Sequence, residues 1–178
     1  MPYAELPDFY RWLSEHNHMS CLALRFLILT ITRTREFRLA SFKEIEGDVW
    51  HIPASTTKAS QQRRVPLCSE AQSIITIAQE TGTKNHIFTS LTSNPLSDAA
   101  MSQLMIRKGL PYGPHGFRAT SRTCVEEQTD MPFEVKEAAL GHKVDKGVIA
   151  AYQRSGRMEK RRELHTLCWG MLLVSYSP

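Results

Sequence analysis

The chain contains no CxxC pair: its four cysteines stand far apart, at positions 21, 68, 124 and 168. That spacing excludes a zinc ribbon and a thioredoxin-type redox motif. The thiols read as reduced cysteines of a cytosolic protein rather than as a disulfide framework. No glycine-rich phosphate loop opens a helix, and the seven histidines have neither ligand spacing nor an acidic cluster beside them. A nucleotide-binding loop and a metal site are therefore not indicated. A long hydrophobic run is missing too, since the longest, Cys21 to Ile31, is broken by Arg25 and is too short to span a bilayer. Met1 to Glu5 lacks the basic and apolar regions of a secretory signal. There is no internal repeat and no low-complexity tract. Charge is only mildly one-sided: 22 Lys and Arg against 18 Asp and Glu, formally +4, with a pI near 9.0. That balance is compatible with a nucleic-acid partner without requiring one. What remains is an ordinary globular composition, 42% hydrophobic and 22% charged over 178 residues. Such a chain suits one domain, which buries roughly 70% of the surface its unfolded form exposes.

Apolar residues recur at three- and four-residue spacing over Leu6 to His16 (Phe9, Trp12, Leu13) and over Ser20 to Ile31 (Leu24, Leu27, Ile28). This predicts two amphipathic helices, and Arg35 to Phe42 reads as a third, shorter one. Gly47-Asp48 then separates Phe42–Glu46 from Val49–Pro53 in the manner of a hairpin. Beyond a polar link, Ala54 to Gln62, the stretch Arg63 to Leu67 alternates as a third strand. Helices are expected again from Ser69 to about Glu80, from a Ser97-Asp98 cap to about Lys108, and from His115 to about Gln128 after the Gly113-Pro114 break. Another begins at Pro132 and ends at Gly141. Ile87-Phe88 is a short apolar piece in an intervening loop. Tyr152 is placed on a short helix after Gly147, and a last helix runs from Met158 to about Val174. The expected fold is mainly α with a small antiparallel three-stranded β-sheet, an α+β arrangement.

Six side chains stand in a fixed order along this framework: Arg33, Lys58, His115, Arg118, His142 and Tyr152. All but the last are cationic or can become so, and the last is a phenol. Positive charge gathered around one tyrosine suits holding a phosphodiester while a phenol oxygen attacks it. Taken singly, each residue has an ordinary explanation. Arg33, three residues before Glu36, fits a surface ion pair; alternatively, Glu36 orients its guanidinium fork to meet a phosphate in two parallel hydrogen bonds. Lys58 in a turn is usually a solvated lysine, yet from a hairpin it can reach a leaving oxygen and protonate it. His115 and Arg118, three apart in the first turn of a helix, are expected to present together, with Phe117 turned inward. His142 follows Gly141, which reads as a helix C-cap, and a histidine there is commonly a capping group. Tyr152 on an apolar helix is by default a core residue with its hydroxyl at the rim. Arg63, Arg64, Arg107, Arg122, Lys143, Lys146, Arg154 and the basic residues of 157–162 are either contacts to a nucleic-acid backbone or a solvated charged surface.

From about Leu6 to Trp169 the chain resembles the catalytic domain of the tyrosine recombinases, above all bacteriophage and genomic-island integrases. The matching stretches are Leu29-Thr30 with Arg33-x-x-Glu36; Ile52-Pro53 and Thr57-Lys58 followed by Val65-Pro66-Leu67; Ile87-Phe88; His115-Gly116-Phe117-Arg118; Leu140-Gly141-His142; and Ala151-Tyr152-x-Arg154. The chain departs from the family at Arg35, commonly glycine, and at Phe42, commonly tryptophan. The resemblance implies an active site of Arg33, Lys58, His115, Arg118, His142 and Tyr152, with Glu36 supporting the first arginine. It further implies cleavage of double-stranded DNA at attachment sites through a covalent 3′-phosphotyrosine, with no cofactor, metal or ATP. A bacterial cytoplasmic location at the nucleoid and a homotetramer on DNA, monomeric when free, belong to the same expectation. In integrases a core-binding domain and often an arm-binding domain precede this one. The 178 residues are thus expected to be a single catalytic domain, excised or truncated, with 158–178 a helix and tail packed in place or exchanged between protomers. Type IB topoisomerases use the same residues to relax supercoils, and a non-catalytic DNA-binding remnant of an integrase is a further alternative. A metal-dependent nuclease is weaker, because the histidines lack ligand spacing.

Overall fold

The computed structural model describes residues 1–81, 85–142 and 157–174. Its elements in chain order are α1 (Leu6–Ser14), α2 (Met19–Thr30), α3 (Thr34–Arg38), β1 (Ile45–Glu46), β2 (Val49–Ile52), β3 (Arg63–Pro66), α4 (Ser69–Thr81), α5 (Asp98–Arg107), α6 (Gly116–Gln128), α7 (Phe133–Ala139) and α8 (Met158–Val174). Short 3₁₀ turns occupy Tyr3–Glu5 and Phe42–Glu44.

Every residue of α2 from Cys21 to Thr30 is buried, Arg25 included. A helix apolar on all sides must be enclosed on all sides, and α1, α4, α5, α6 and α8 pack around it. Its one interior charge is paired from α4, where Glu70 accepts from Arg25 and from the Tyr10 hydroxyl. Phe26 brings Trp50 and Phe88 onto the same helix, with ring centroids 5.4 and 5.2 Å away. Ile87 and Phe88 are therefore core residues, although they lie in a loop.

The sheet has the order β1-β2-β3, antiparallel throughout, with Trp50 opposite Ile45 and Val65, and Ile52 opposite Arg63. Gly47, at φ +57°, makes the first turn, as the Gly-Asp signal predicts. Two sequence readings differ from the structure nearby. The third helix is shorter than Arg35–Phe42, and the strand beginning at Phe42 starts only at Ile45. The cause is long-range pairing. Ser41 bridges to His86 and the Ile87 amide donates to the Ala40 carbonyl at 2.9 Å. The chain is thereby pulled out of the helix and turned through Phe42–Glu44 before it can join β2.

A smaller apolar cluster, Ile31, Val125, Val135, Ala139, Leu140 and Leu164, gathers the end of α2 with α6, α7 and α8. Among the described residues, α8 rests against β3, α7 and α1 of its own chain, through the buried Arg161, Leu164 and His165. It is this cluster that brings the ends of α2 and α7 together.

Candidate active site

α2 stops at Ile31, which takes a left-handed conformation, φ +54°. The chain then turns extended through Arg33, the N-cap of α3. Glu36 sits at the third position of that helix, where a carboxylate can reach back to the N-cap amide. Its Oε2 accepts from the Arg33 backbone N–H at 2.9 Å, and its Oε1 from Arg33 Nη1 at 3.2 Å. The carboxylate is only 1% exposed. It also accepts from Arg63 Nη1 at 3.1 Å, so one buried anion anchors two guanidinium groups from separate parts of the chain.

Arg118 lies one turn into α6 and is buried. Its Nη1 donates to the Ile31 carbonyl at 2.5 Å and its Nη2 to the Leu140 carbonyl at 2.6 Å. Those carbonyls stand two residues before Arg33 and two before His142, so Arg118 fixes the spacing of both loops. Phe117 points inward and stacks on Phe9, centroids 5.6 Å apart. His115 and Arg118 do not present together as expected: the helix begins at Gly116, His115 is its exposed N-cap, and Arg118 turns into the interior.

The end of α7 is a Schellman turn. The His142 amide donates to the Glu137 carbonyl and the Gly141 amide to the Ala138 carbonyl, both at 3.0 Å, while Gly141 takes φ +67°. A Cβ at Gly141 would meet Arg63 Cζ at 2.9 Å. Glycine is thus required for both the conformation and the close approach of that guanidinium. Arg63 Nη2 donates to the Ala139 carbonyl. Sequence reading set Arg63 on a nucleic-acid face; its side chain instead turns inward and braces α3 against the end of α7.

Arg33, Glu36, Thr57, Gln61, Arg63, Arg64, His142 and Arg161 all border one cleft of about 430 Å³. Lys58 is exposed in the loop over its rim, between Thr57 and Ala59, which do line it. Thr57 organises that loop by accepting from the Gln61 amide at 3.1 Å and donating to the Gln61 carbonyl at 2.8 Å. Arg161 of α8 donates to the Arg64 carbonyl at 2.7 Å, so it secures β3 rather than facing outward. Arg122, also expected on the nucleic-acid backbone, is committed to Glu126 and Glu137. Tyr152, Lys143, Lys146 and Arg154 fall in 143–156, outside the described residues.

The cleft is short of negative charge. Burial lowers the pKa of Arg63 to about 9, with Glu36 opposing and Arg161, Arg118 and Arg33 adding to the fall. Arg118 is lowered to about 10, first by burial and then by Arg33. The Nε atoms of Arg63 and Arg161 are buried with no hydrogen-bond partner among the described residues. All these groups stay protonated at neutral pH. Burial is the larger cause of these depressed values and the neighbouring guanidinium groups add to it; a bound anion would favour the charged forms. Among the described residues, no group of three His, Cys, Asp or Glu side chains could hold a metal ion.

No family model matches the chain. Prophage integrase IntA of Escherichia coli (strain K12) is 34% identical over 145 residues, which are 77% of this chain and 35% of that protein. Prophage integrase IntZ of the same organism is 29% identical over 172 residues, 92% of this chain and 42% of that protein. The chain belongs to the tyrosine recombinase family. It spans well under half the length of these two curated relatives. The tyrosine recombinase fold is seen in solved structures as well. A lambda integrase tetramer bound to a Holliday junction matches with TM-score 0.64 and 20% identity, over 84% of this chain and 49% of that one. The lambda integrase catalytic core matches with TM-score 0.59 and 18% identity, over 81% of this chain and 90% of that one.

Within this tyrosine recombinase domain, two features escaped the sequence reading. Glu137 touches His142, and a signal for it exists: in a Schellman turn the third residue before the cap and the second after it are adjacent. Arg63 shares a strand face with Val65 by the two-residue period, which already directs it inward.

Proposed function

We propose that residues 1–178 form the catalytic domain of a site-specific DNA recombinase of the integrase type. The observation that carries this reading is the convergence of the Arg33 and His142 loops, cross-braced through Glu36, Arg63 and the buried Arg118, at a cleft with surplus positive charge. Guanidinium groups held this rigidly can neutralise the charge that builds on a phosphorane-like transition state without reorganising first.

In the proposed reaction the Tyr152 Oη attacks a backbone phosphorus as its phenolic proton passes to solvent. The bond to the 5′ oxygen breaks and a 3′-phosphotyrosyl bond forms. Lys58, on the loop at the rim, protonates the departing 5′ oxygen. His115 assists proton movement, and His142 hydrogen-bonds a non-bridging oxygen. The energy of the phosphodiester is kept in the covalent intermediate, so a 5′-hydroxyl of a partner strand restores the bond and exchanges the strands. The scheme consumes no ATP and calls on no metal. Relatives named as prophage integrases favour strand exchange over supercoil relaxation. Lambda integrase has been seen as a tetramer on a junction. That supports duplex DNA as the partner and assembly of several copies on it, here proposed as a homotetramer working in the bacterial cytoplasm at the nucleoid.

A nicked suicide substrate tests the reading, because its short 5′ fragment diffuses away and traps the adduct. The wild-type chain should become covalently joined to DNA on a denaturing gel, with Tyr152 in the joined peptide. Tyr152→Phe should bind DNA and form no adduct. An adduct formed by that variant would assign the nucleophile elsewhere.

A further inference from the structure

The ring of His142 is held as firmly as its backbone, and by the same residue. Glu137 accepts the His142 amide on its main-chain oxygen at 3.0 Å. Its carboxylate Oε2 lies 2.6 Å from His142 Nδ1. The other carboxylate oxygen, Oε1, accepts from Arg122 Nε at 3.0 Å. Arg122 is fixed in turn by Glu126 and by the face of Phe133, 5.7 Å from the ring centroid. A carboxylate can only accept, so the hydrogen bond puts the imidazole proton on Nδ1 and leaves Nε2 as the ring nitrogen for a ligand in the cleft.

We propose that Glu137, oriented by Arg122, is a positioning residue that locks the His142 ring in its Nδ1–H tautomer with Nε2 available to the scissile phosphate. The assignment builds on the recombinase reading but goes beyond it. It gives the cleft an orienting carboxylate at a position where the sequence suggested only a helix end, and it gives Arg122 a task other than touching DNA. The logic is that of any histidine whose far nitrogen is fixed by an acidic partner: the partner touches no substrate, yet it decides which nitrogen does. A surface ion pair would not explain why one residue takes both the amide and the ring of His142 while its second oxygen is tied down from α6.

Two measurements on the full chain test this. Side-chain ¹⁵N NMR of histidine-labelled protein reads the tautomer directly, and suicide-substrate cleavage reads its consequence. The neutral His142 ring should carry its proton on Nδ1 in the wild type and in Glu137→Gln, which keeps an acceptor oxygen, and should lose that preference in Glu137→Ala. Adduct formation should fall about 10- to 100-fold in Glu137→Ala and recover to within about threefold of wild type in Glu137→Gln. An Nε2–H ring in the wild type, or the same tautomer in Glu137→Ala, overturns the positioning contact. Cleavage at the wild-type rate by Glu137→Ala overturns its catalytic consequence. A wild type that holds the Nδ1–H tautomer yet forms no adduct counts against the recombinase reading and leaves the contact standing.

Discussion

Glu36 carries more of the site than its size suggests. It is a buried carboxylate shared by Arg33 and Arg63, 1% exposed itself, with its partners at 21% and 10%. Removing one member of a buried ionic group leaves the others desolvated and uncompensated, at a cost of about 3–5 kcal/mol. Glu36→Ala should therefore lower the unfolding free energy read from urea denaturation by that order, and Glu36→Gln by less, since an amide oxygen still accepts. Equal, negligible shifts would mean that the arginines are not held by it. Gly141→Ala tests the turn before His142. The left-handed backbone alone costs about 1–2 kcal/mol, and the new methyl meets a guanidinium anchored at both ends. A lower melting temperature together with weaker cleavage is expected; a melting temperature equal to wild type would contradict the packing described. At this scale the sequence was partly readable. Arg33, Glu36 and the cap at Gly141 follow from local spacing. The inward course of Arg118 does not, because its two acceptors, Ile31 and Leu140, are carbonyls 87 and 22 residues away.

Among the elements, α8 is the most informative. His165 is buried at its centre, with Nδ1 2.8 Å from the Leu29 carbonyl. Burial holds its pKa down to about 4 against an ordinary 6.5, with Arg161 and Arg63 adding to the fall and the Leu29 hydrogen bond opposing it. The unfolded chain takes up a proton near 6.5 and the folded chain only near 4. Between these values unfolding binds a proton, so stability falls as the pH falls through the window and is unaffected above it. The loss amounts to about 3 kcal/mol by pH 4. Measured against His165→Gln, which cannot titrate, the wild type should lose ground steadily from pH 6.5 to 4; parallel curves would place the histidine in solvent. The helices were legible because each buries a face whose period shows in the sequence. α2 is the exception: read as amphipathic from Leu24, Leu27 and Ile28, it is buried on every side from Cys21 to Thr30. What failed was Phe42 to Glu46, where a bridge between Ser41 and His86 outweighs the local preference for strand. No window of a few residues contains that partner.

For the whole molecule, function depends on surfaces that the chain brings together from its full length. The cleft takes residues from α3, the β2–β3 loop, β3, α7 and α8, and the cross-bracing arginines come from β3 and α6. The order of these residues was visible, and so was their chemistry. Their depth was not, which is why Arg63, Arg122 and Arg161 looked like a basic surface. DNA binding should weaken with salt. Two phosphate contacts alone give a log–log slope of about −2, and each further contact adds about −0.9. A slope near zero would argue against a phosphate-reading cleft. The central claim is that Arg33 meets a phosphate in the cleft while Arg118, buried behind it, holds the Arg33 and His142 loops around that phosphate. The rate of adduct formation by Arg33→Ala and Arg118→Ala on the suicide substrate tests it most directly, with Arg33→Lys and Arg118→Lys keeping the charge. Each alanine variant should lose about a thousandfold or more, with the lysine variants well below wild type because the planar fork is gone. A loss under tenfold at either position, in a protein still folded by circular dichroism, would contradict the account.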